Sequence, residues 1–162
     1  FLRWLEVCGE TNMLTDLTNS GAIPTLSAAL RFASERQKLI AHNIANVSTP
    51  NFIQRNVSVA DFRQALSEAV DNRRRQSGGE SGPLGFGNSG SIQVQADGSV
   101  QLRPDQHSPS SSEGSILFHD KNNRDLERLM QDSVENAAFY RMNIDLLRTR
   151  FDLIKSAIAQ RP

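Results

Sequence analysis

The stretch LERLMQDSVENAAFYRMNIDLLRTRFDLIKSAI, residues 126–158, decides how this chain folds. Its apolar residues recur in alternating steps of four and three, with no proline or glycine between them, which is typical of a long helix with one coiled-coil seam. We expect this helix to span residues 123–160. Its predicted seam, called the C-terminal seam below, consists of Leu126, Met130, Ser133, Ala137, Tyr140, Ile144, Leu147, Phe151, Ile154 and Ile158. Only Ser133 is a poor apolar choice, and a helix with such a seam needs a partner to cover it.

A second helix with the same periodicity is predicted near the other end of the chain. It follows Pro24, a residue suited to the first turn of a helix, and continues to about Asn46. Its seam, the N-terminal seam, consists of Ile23, Leu26, Leu30, Ala33, Gln37, Ile40, Ile44 and Val47. We predict a mainly α fold in which the two long terminal helices pair as an antiparallel coiled coil. The alternative, that each is an ordinary amphipathic core helix, remains open.

The two predicted helices differ in length, and this difference bears on function. At 1.5 Å per residue, the N-terminal helix would be about 33 Å long and the C-terminal helix about 57 Å. An antiparallel pair therefore leaves several turns of the C-terminal seam uncovered. Each apolar side chain left in water forgoes about 1.5–3 kcal/mol of burial free energy. We therefore expect other subunits to cover the remainder, which implies self-assembly.

The middle of the chain, residues 51–118, is predicted to be a small, loop-rich insert. It contains a short helix around Phe62 and Leu66, a Gly/Ser-rich loop over residues 76–91, and a β-hairpin over residues 92–102 around Asp97–Gly98. The full division is an unassigned extension at 1–12, the N-terminal helix at 13–50, this insert at 51–118, and the C-terminal helix at 119–162.

Two positions in the insert carry more specific expectations. Asn51 follows Pro50 and is predicted to adopt a left-handed conformation at a turn. The run Arg73–Arg75 is predicted to be a solvated helix end rather than a phosphate-binding patch.

Composition argues against several classes of function. The chain has 18 basic and 18 acidic residues, so no overall field favours nucleic acid. One cysteine and three scattered histidines offer no metal site, and no catalytic motif is present. No apolar run is long enough to span a membrane, and the first residues do not resemble a cleaved secretory signal. We therefore predict neither an enzyme, a small-molecule substrate nor a cofactor.

Two segments carry a resemblance to a known family. The segment ALRFASERQKLIAHNIANVSTPNF, residues 29–52, resembles the N-terminal signature of bacterial flagellar rod and hook proteins, a pattern close to NNIANANTPGY after an amphipathic helix. The segment from Asn122 to Ile158, with NN-x-DLE followed by EN…Y, is similar to the proximal-rod, B-type subunits of the basal-body rod protein family. The resemblance covers roughly residues 13–60 and 116–159.

This resemblance implies a structural subunit that polymerises through its terminal helices into the proximal part of the drive shaft. Family members leave the cytoplasm by type III export without a cleaved signal and reside in the periplasmic rod of the basal body. The implied partners are other copies of the chain, other rod subunits, the ring–rod adaptor and the export gate. A rival interpretation is a helical adaptor or chaperone that binds a partner's amphipathic helix.

The residues predicted to form the assembly interface lie on both helices and on the loop after the first. The helical members are Leu26, Leu30, Ala33, Ile40, Ile44, Leu126, Met130, Ala137, Tyr140, Ile144, Leu147, Phe151, Ile154 and Ile158. The loop signature contributes Asn43, Asn46, Thr49, Pro50 and Phe52.

Overall fold

The described part of the chain is mainly helical. The computed structural model describes residues 21–52, 54–77, 84–86, 92–94, 100–102 and 125–159. In chain order these contain helix α1 (Ile23–Ala45), helix α2 (Val59–Ser77), strands β1 (Ile92–Val94) and β2 (Val100–Leu102), and helix α3 (Leu126–Ala159). The prediction that the N-terminal and C-terminal helices pair is confirmed. The predicted extension at residues 1–12 lies outside the described residues.

The two ends of α1 are set by local side-chain chemistry. Pro24 lies in its first turn, where the missing N–H costs nothing, and the Thr25 hydroxyl donates to the Ala22 carbonyl at 2.6 Å. At the other end, the His42 carbonyl accepts both the Asn46 backbone N–H at 3.2 Å and the Asn46 side-chain amide at 2.8 Å. Asn51 then takes a φ of +58°, which confirms the predicted left-handed turn.

Helix α2 begins at a side-chain cap, and an arginine near its C-terminal end reaches the residues that precede α1. The Ser58 hydroxyl accepts a hydrogen bond from the Asp61 backbone N–H at 3.1 Å, the usual geometry of an N-cap. At the other end, the Arg73 guanidinium donates to the Gly21 carbonyl at 2.8 Å. Arg73 is buried, so the prediction that the whole Arg73–Arg75 run is solvated is wrong at its first residue.

The apolar core lies where α2 folds back against α1. The Phe32 and Phe62 rings stack with centroids 3.9 Å apart and planes within 5° of parallel. Both side chains are about 1% exposed, and they bury far more apolar surface than any alanine beside them. The core consists of Ala29, Phe32, Val57 and Phe62, bordered by Leu39, Val59, Leu66 and Phe139. Phe139 comes from α3, so all three helices contribute to one small core.

The two short strands pair antiparallel, with Ile92 opposite Leu102 and Val94 opposite Val100. Strand β2 lies beside α1. These strands fall within the stretch predicted to form a β-hairpin. The Asp97–Gly98 turn that would join them lies outside the described residues, so the complete hairpin is not supported by the structure.

Helix α3 packs along α1 in the opposite direction. Its first backbone N–H groups are capped by Asp125, whose carboxylate accepts from the Arg128 N–H at 3.1 Å. The residues it buries most deeply are spaced by seven, and we call them the inner line: Leu129, Asn136 and Asn143. The inner line does not coincide with the predicted C-terminal seam: it precedes Met130, Ala137 and Ile144 of that seam by one residue. Successive helical residues point about 100° apart, so the seam lies along the edge of the contact.

Candidate assembly interface

The contact between α1 and α3 is held by a chain of hydrogen bonds. The Arg36 guanidinium contacts the Asp132 carboxylate at 3.1 Å. The Gln37 amide donates to the Ser133 hydroxyl, also at 3.1 Å. As the position on α1 falls from Gln37 to Ala33, the partner on α3 rises from Ser133 to Asn136, which is the mark of an antiparallel pair.

Asn136 is the centre of this polar contact. It is 2% exposed, and its side-chain amide donates to the Ala33 carbonyl at 2.9 Å and to the Gln37 side-chain oxygen at 2.8 Å. A slip of one residue would leave these buried amides without partners, at a cost of about 1–3 kcal/mol for each group. Asn136 therefore fixes the register of the two helices, as single buried polar residues do in coiled coils.

The sequence contained a signal for this contact that the apolar pattern obscured. Gln37 and Ser133 are the polar members of the two predicted seams, and the structure joins them by a hydrogen bond. The sequence interpretation did not single out Arg36, Asp132 or Asn136 as members of the contact, because a search for apolar periodicity passes over polar residues.

The predicted interface residues on α1 are mostly committed to the fold of the subunit. Ala33 and Ile40 are buried, and Leu26, Leu30 and Ile44 are half-buried. They therefore contribute mainly to packing within the chain.

The predicted interface residues on α3 are much more open. Exposed fractions are 42% for Leu126, 51% for Met130, 39% for Tyr140, 46% for Phe151 and 70% for Ile158. The remaining members are half-buried: Ala137, Ile144, Leu147 and Ile154. Exposed large apolar residues outside the seam are Val134, Met142, Leu146 and Leu153. A helix with this much exposed apolar surface is typical of a chain that docks onto other protein.

The loop signature after α1 is built around Asn43. This residue is 3% exposed, and its side chain donates to the Arg55 carbonyl at 2.6 Å and accepts from the Arg55 N–H at 3.1 Å. Asn46 caps the helix, and the ring of Phe52 lies edge-on to His42 with centroids 5.5 Å apart. Thr49 and Pro50 are exposed. The loop therefore folds against its own helix through Asn43, Asn46 and Phe52.

An open groove of about 540 Å³ runs beside the α1–α3 contact. Four of the nine residues that line it are small, and they leave room that larger side chains would fill. Tyr140 and the cations Lys38 and Arg141 stand around it. The lining residues are Ala33, Ser34, Gln37, Lys38, Ala41, Asn136, Ala137, Tyr140 and Arg141. The groove thus joins one edge of the hydrogen-bonded contact to the C-terminal seam.

Neither a metal site nor a membrane span is found in the part of the chain that the structure describes. No three His, Cys, Asp or Glu side chains come together there as a metal ion would require. None of the described helices is both long and apolar enough to cross a bilayer.

The sequence is similar to a curated flagellar protein. Over 130 residues it is 28% identical to the flagellar basal body rod protein FlgB of Borrelia hermsii, and the match covers 77% of this chain and 86% of that protein. No protein-family model matches the chain, and no solved structure matches it significantly. The similarity supports the resemblance to FlgB-type rod proteins. That relative is a structural protein rather than an enzyme, in agreement with the prediction that this chain is not an enzyme.

Proposed function

We propose that this chain is a structural subunit of the bacterial flagellar basal-body rod and that it polymerises by burying the C-terminal seam of α3 against neighbouring subunits. The observation that carries the proposal is the exposure of Leu126, Met130, Phe151 and Ile158 on a helix whose contact with α1 is held in register by the hydrogen bonds of buried Asn136. Similarity to a flagellar rod protein supports the same function.

The free energy of burying the exposed apolar side chains favours association over the monomer. Burying an exposed Leu, Ile, Phe or Met side chain contributes about 1.5–3 kcal/mol. Several such residues on one helix supply enough free energy to offset the loss of rigid-body freedom on association. Because the same surface is repeated on every copy, contacts that do not close into a ring extend into a filament.

The proposed partners are further copies of the chain and other rod subunits, with the ring–rod adaptor and the export gate as neighbours. The proposed location is the periplasmic rod, reached by type III export. The exposed loop residues Thr49 and Pro50, and the seam of α3, are the surfaces offered to those neighbours. The fixed register of α1 and α3 would present both surfaces in the same arrangement on each subunit.

Substitution on α3 tests the assembly role. Phe151→Asp places a charge in the exposed seam, whereas Thr149→Asp places the same charge at an exposed polar position two residues away. We expect Phe151→Asp to abolish co-purification with basal bodies and motility in the encoding bacterium, and Thr149→Asp to preserve both. Circular dichroism should show equal helix content in the two variants. Normal motility with Phe151→Asp would contradict the proposal.

The groove beside α1 and α3 favours a second candidate function, that of an adaptor or chaperone. It is open and partly apolar, as a site for a partner helix would be. Sedimentation of the purified chain distinguishes the two functions. A rod subunit should form species that grow with protein concentration, whereas an adaptor should keep one stoichiometry.

A further inference from the structure

We infer that the groove between α1 and α3 is the docking site for the C-terminal end of α3 from a second copy of the chain, so that subunits join head to tail. This inference rests on the proposed function and names the surface on each side of one subunit contact. The occupant is the segment of residues 147–159, called the overhang.

The overhang exists because α3 is longer than α1 and extends past its first residue. In the antiparallel register set by Arg36–Asp132 and by Asn136 with Ala33, the first residue of α1, Ile23, falls opposite Asp145 or Leu146. Residues beyond that point extend about 20 Å past the start of α1, at 1.5 Å per residue. Phe151, Leu153 and Ile158 are substantially exposed there.

The groove and the overhang match in size and in shape. From Ala33 to Ala41 the groove follows α1 for about 12 Å, and Phe151 to Ile158 span about 10 Å of the overhang. The lining of the groove includes Ala33, Ala41 and Ala137, whereas the overhang offers large side chains. Small residues on one helix let large residues of another approach closely, as in ridges-into-grooves packing.

The groove is also continuous with the contact already present within the chain. Asn136 forms the boundary, since it bonds α1 on one side and lines the groove on the other. Lys38 on the rim is already paired with Glu35 at 2.6 Å, and Arg148 of the overhang lies 3.6 Å from Asp145. Apolar burial therefore contributes more to the contact than exposed charges such as Arg141 in the groove and Asp152 on the overhang, and raising the salt concentration should not release it.

A head-to-tail contact differs from the symmetric alternative in its consequences. If two overhangs paired with each other, the result would be a closed dimer with both grooves empty. If the overhang of one copy fills the groove of the next, each subunit retains one free groove and one free overhang, and the chain of contacts continues.

Cysteine crosslinking of the full chain tests the inference. In a Cys8→Ser background, Ser34→Cys marks the exposed groove, and Phe151→Cys or Ile158→Cys marks the seam side of the overhang. Leu153→Cys is the matched control, an exposed apolar position on the other side of the same helix. A disulfide forms only where two Cα atoms come within about 7 Å. We expect mixed Ser34→Cys and seam-side chains to give a disulfide dimer, double variants to give a ladder, and Leu153→Cys to give neither.

Three outcomes would overturn the inference. The first is no disulfide between Ser34→Cys and either seam-side position. The second is a predominance of dimers between identical seam-side variants, which indicates symmetric pairing. The third, in a chain that keeps Cys8, is a disulfide between Cys8 and Ser34→Cys within one molecule, which indicates that the N-terminal segment fills the groove. Co-purification with basal bodies without the ladder would reject the inference alone, whereas a ladder without co-purification would reject the proposed function.

Discussion

The two sides of α3 differ less in polarity than the two sides of an ordinary amphipathic helix. The inner line against α1 includes two asparagines, Asn136 and Asn143, with Asp132 and Ser133 beside it. Large apolar residues remain on the exposed side. In a monomeric protein, the apolar side faces the core and the polar side faces water. A helix with buried asparagines and exposed large apolar residues suits a subunit that makes a further apolar contact with other chains.

The two sides of α3 therefore have different tasks: one sets the register with α1, and the other supplies association free energy. Hydrogen bonds between α1 and α3 are directional, so they define one register, but their net contribution to stability is modest. Apolar burial is less directional and scales with area, so it suits the contact that supplies most of the association free energy. Stability within the subunit then depends on the small core around Phe32 and Phe62.

The contrast predicts that removing a phenylalanine from the core lowers the stability of the monomer, whereas removing one from the exposed side of α3 weakens association. Phe32→Ala should lower the free energy of unfolding by about 3–5 kcal/mol, because it empties the centre of the core. Phe151→Ala should change the unfolding free energy of the monomer by less than about 0.5 kcal/mol while weakening association. Denaturant unfolding and sedimentation measure the two quantities. Equal losses of stability would show that Phe151 already belongs to the core of the monomer.

The two buried asparagines allow a finer comparison. Asn136→Ala removes the bonds to the Ala33 carbonyl and to Gln37 and should lower the unfolding free energy by about 1–3 kcal/mol. Asn143 donates to the Phe139 carbonyl of its own helix at 2.7 Å, so Asn143→Ala should cost less, about 0.5–1.5 kcal/mol. The same unfolding experiment measures both. If the order is reversed, the register is not set by Asn136.

The smallest expected difference is between the coupling energies of two ion pairs. Arg36 and Asp132 have side chains 11% and 25% exposed, whereas Arg148 and Asp145 are 73% and 71% exposed. A double-mutant cycle with alanines should give a coupling energy of about 1 kcal/mol for the first pair. The second pair should give about 0–0.5 kcal/mol. A coupling as small for Arg36–Asp132 would mean that this pair contributes no more than a surface contact.

Much of the helical architecture was accessible from periodicity alone. The C-terminal helix was predicted over 123–160 and is observed over Leu126–Ala159; the N-terminal helix was predicted to reach about Asn46 and ends at Ala45. Uninterrupted periodic segments without proline or glycine specify a helix strongly. The left-handed turn at Asn51 was predictable because few other side chains tolerate that geometry.

Periodicity did not reveal which line of α3 residues is buried against α1, for a physical reason. A periodicity search assumes that the most apolar line is the buried line, but Asn136 is buried because each of its donors finds an acceptor on α1. Burial of a satisfied amide depends on the position of the partner, which one helix does not reveal. The Arg73 contact with Gly21 was missed for the same reason, since it joins residues from separate helical ends.

The paired bonds between Asn43 and Arg55 have a mechanical consequence. They fasten the Arg55 backbone to the side of α1, so the segment that leads into α2 is held beside α1 at that point. A displacement of Arg55 must therefore either move α1 with it or break both hydrogen bonds. In an object that must turn under load, a joint of this kind would keep its parts moving together.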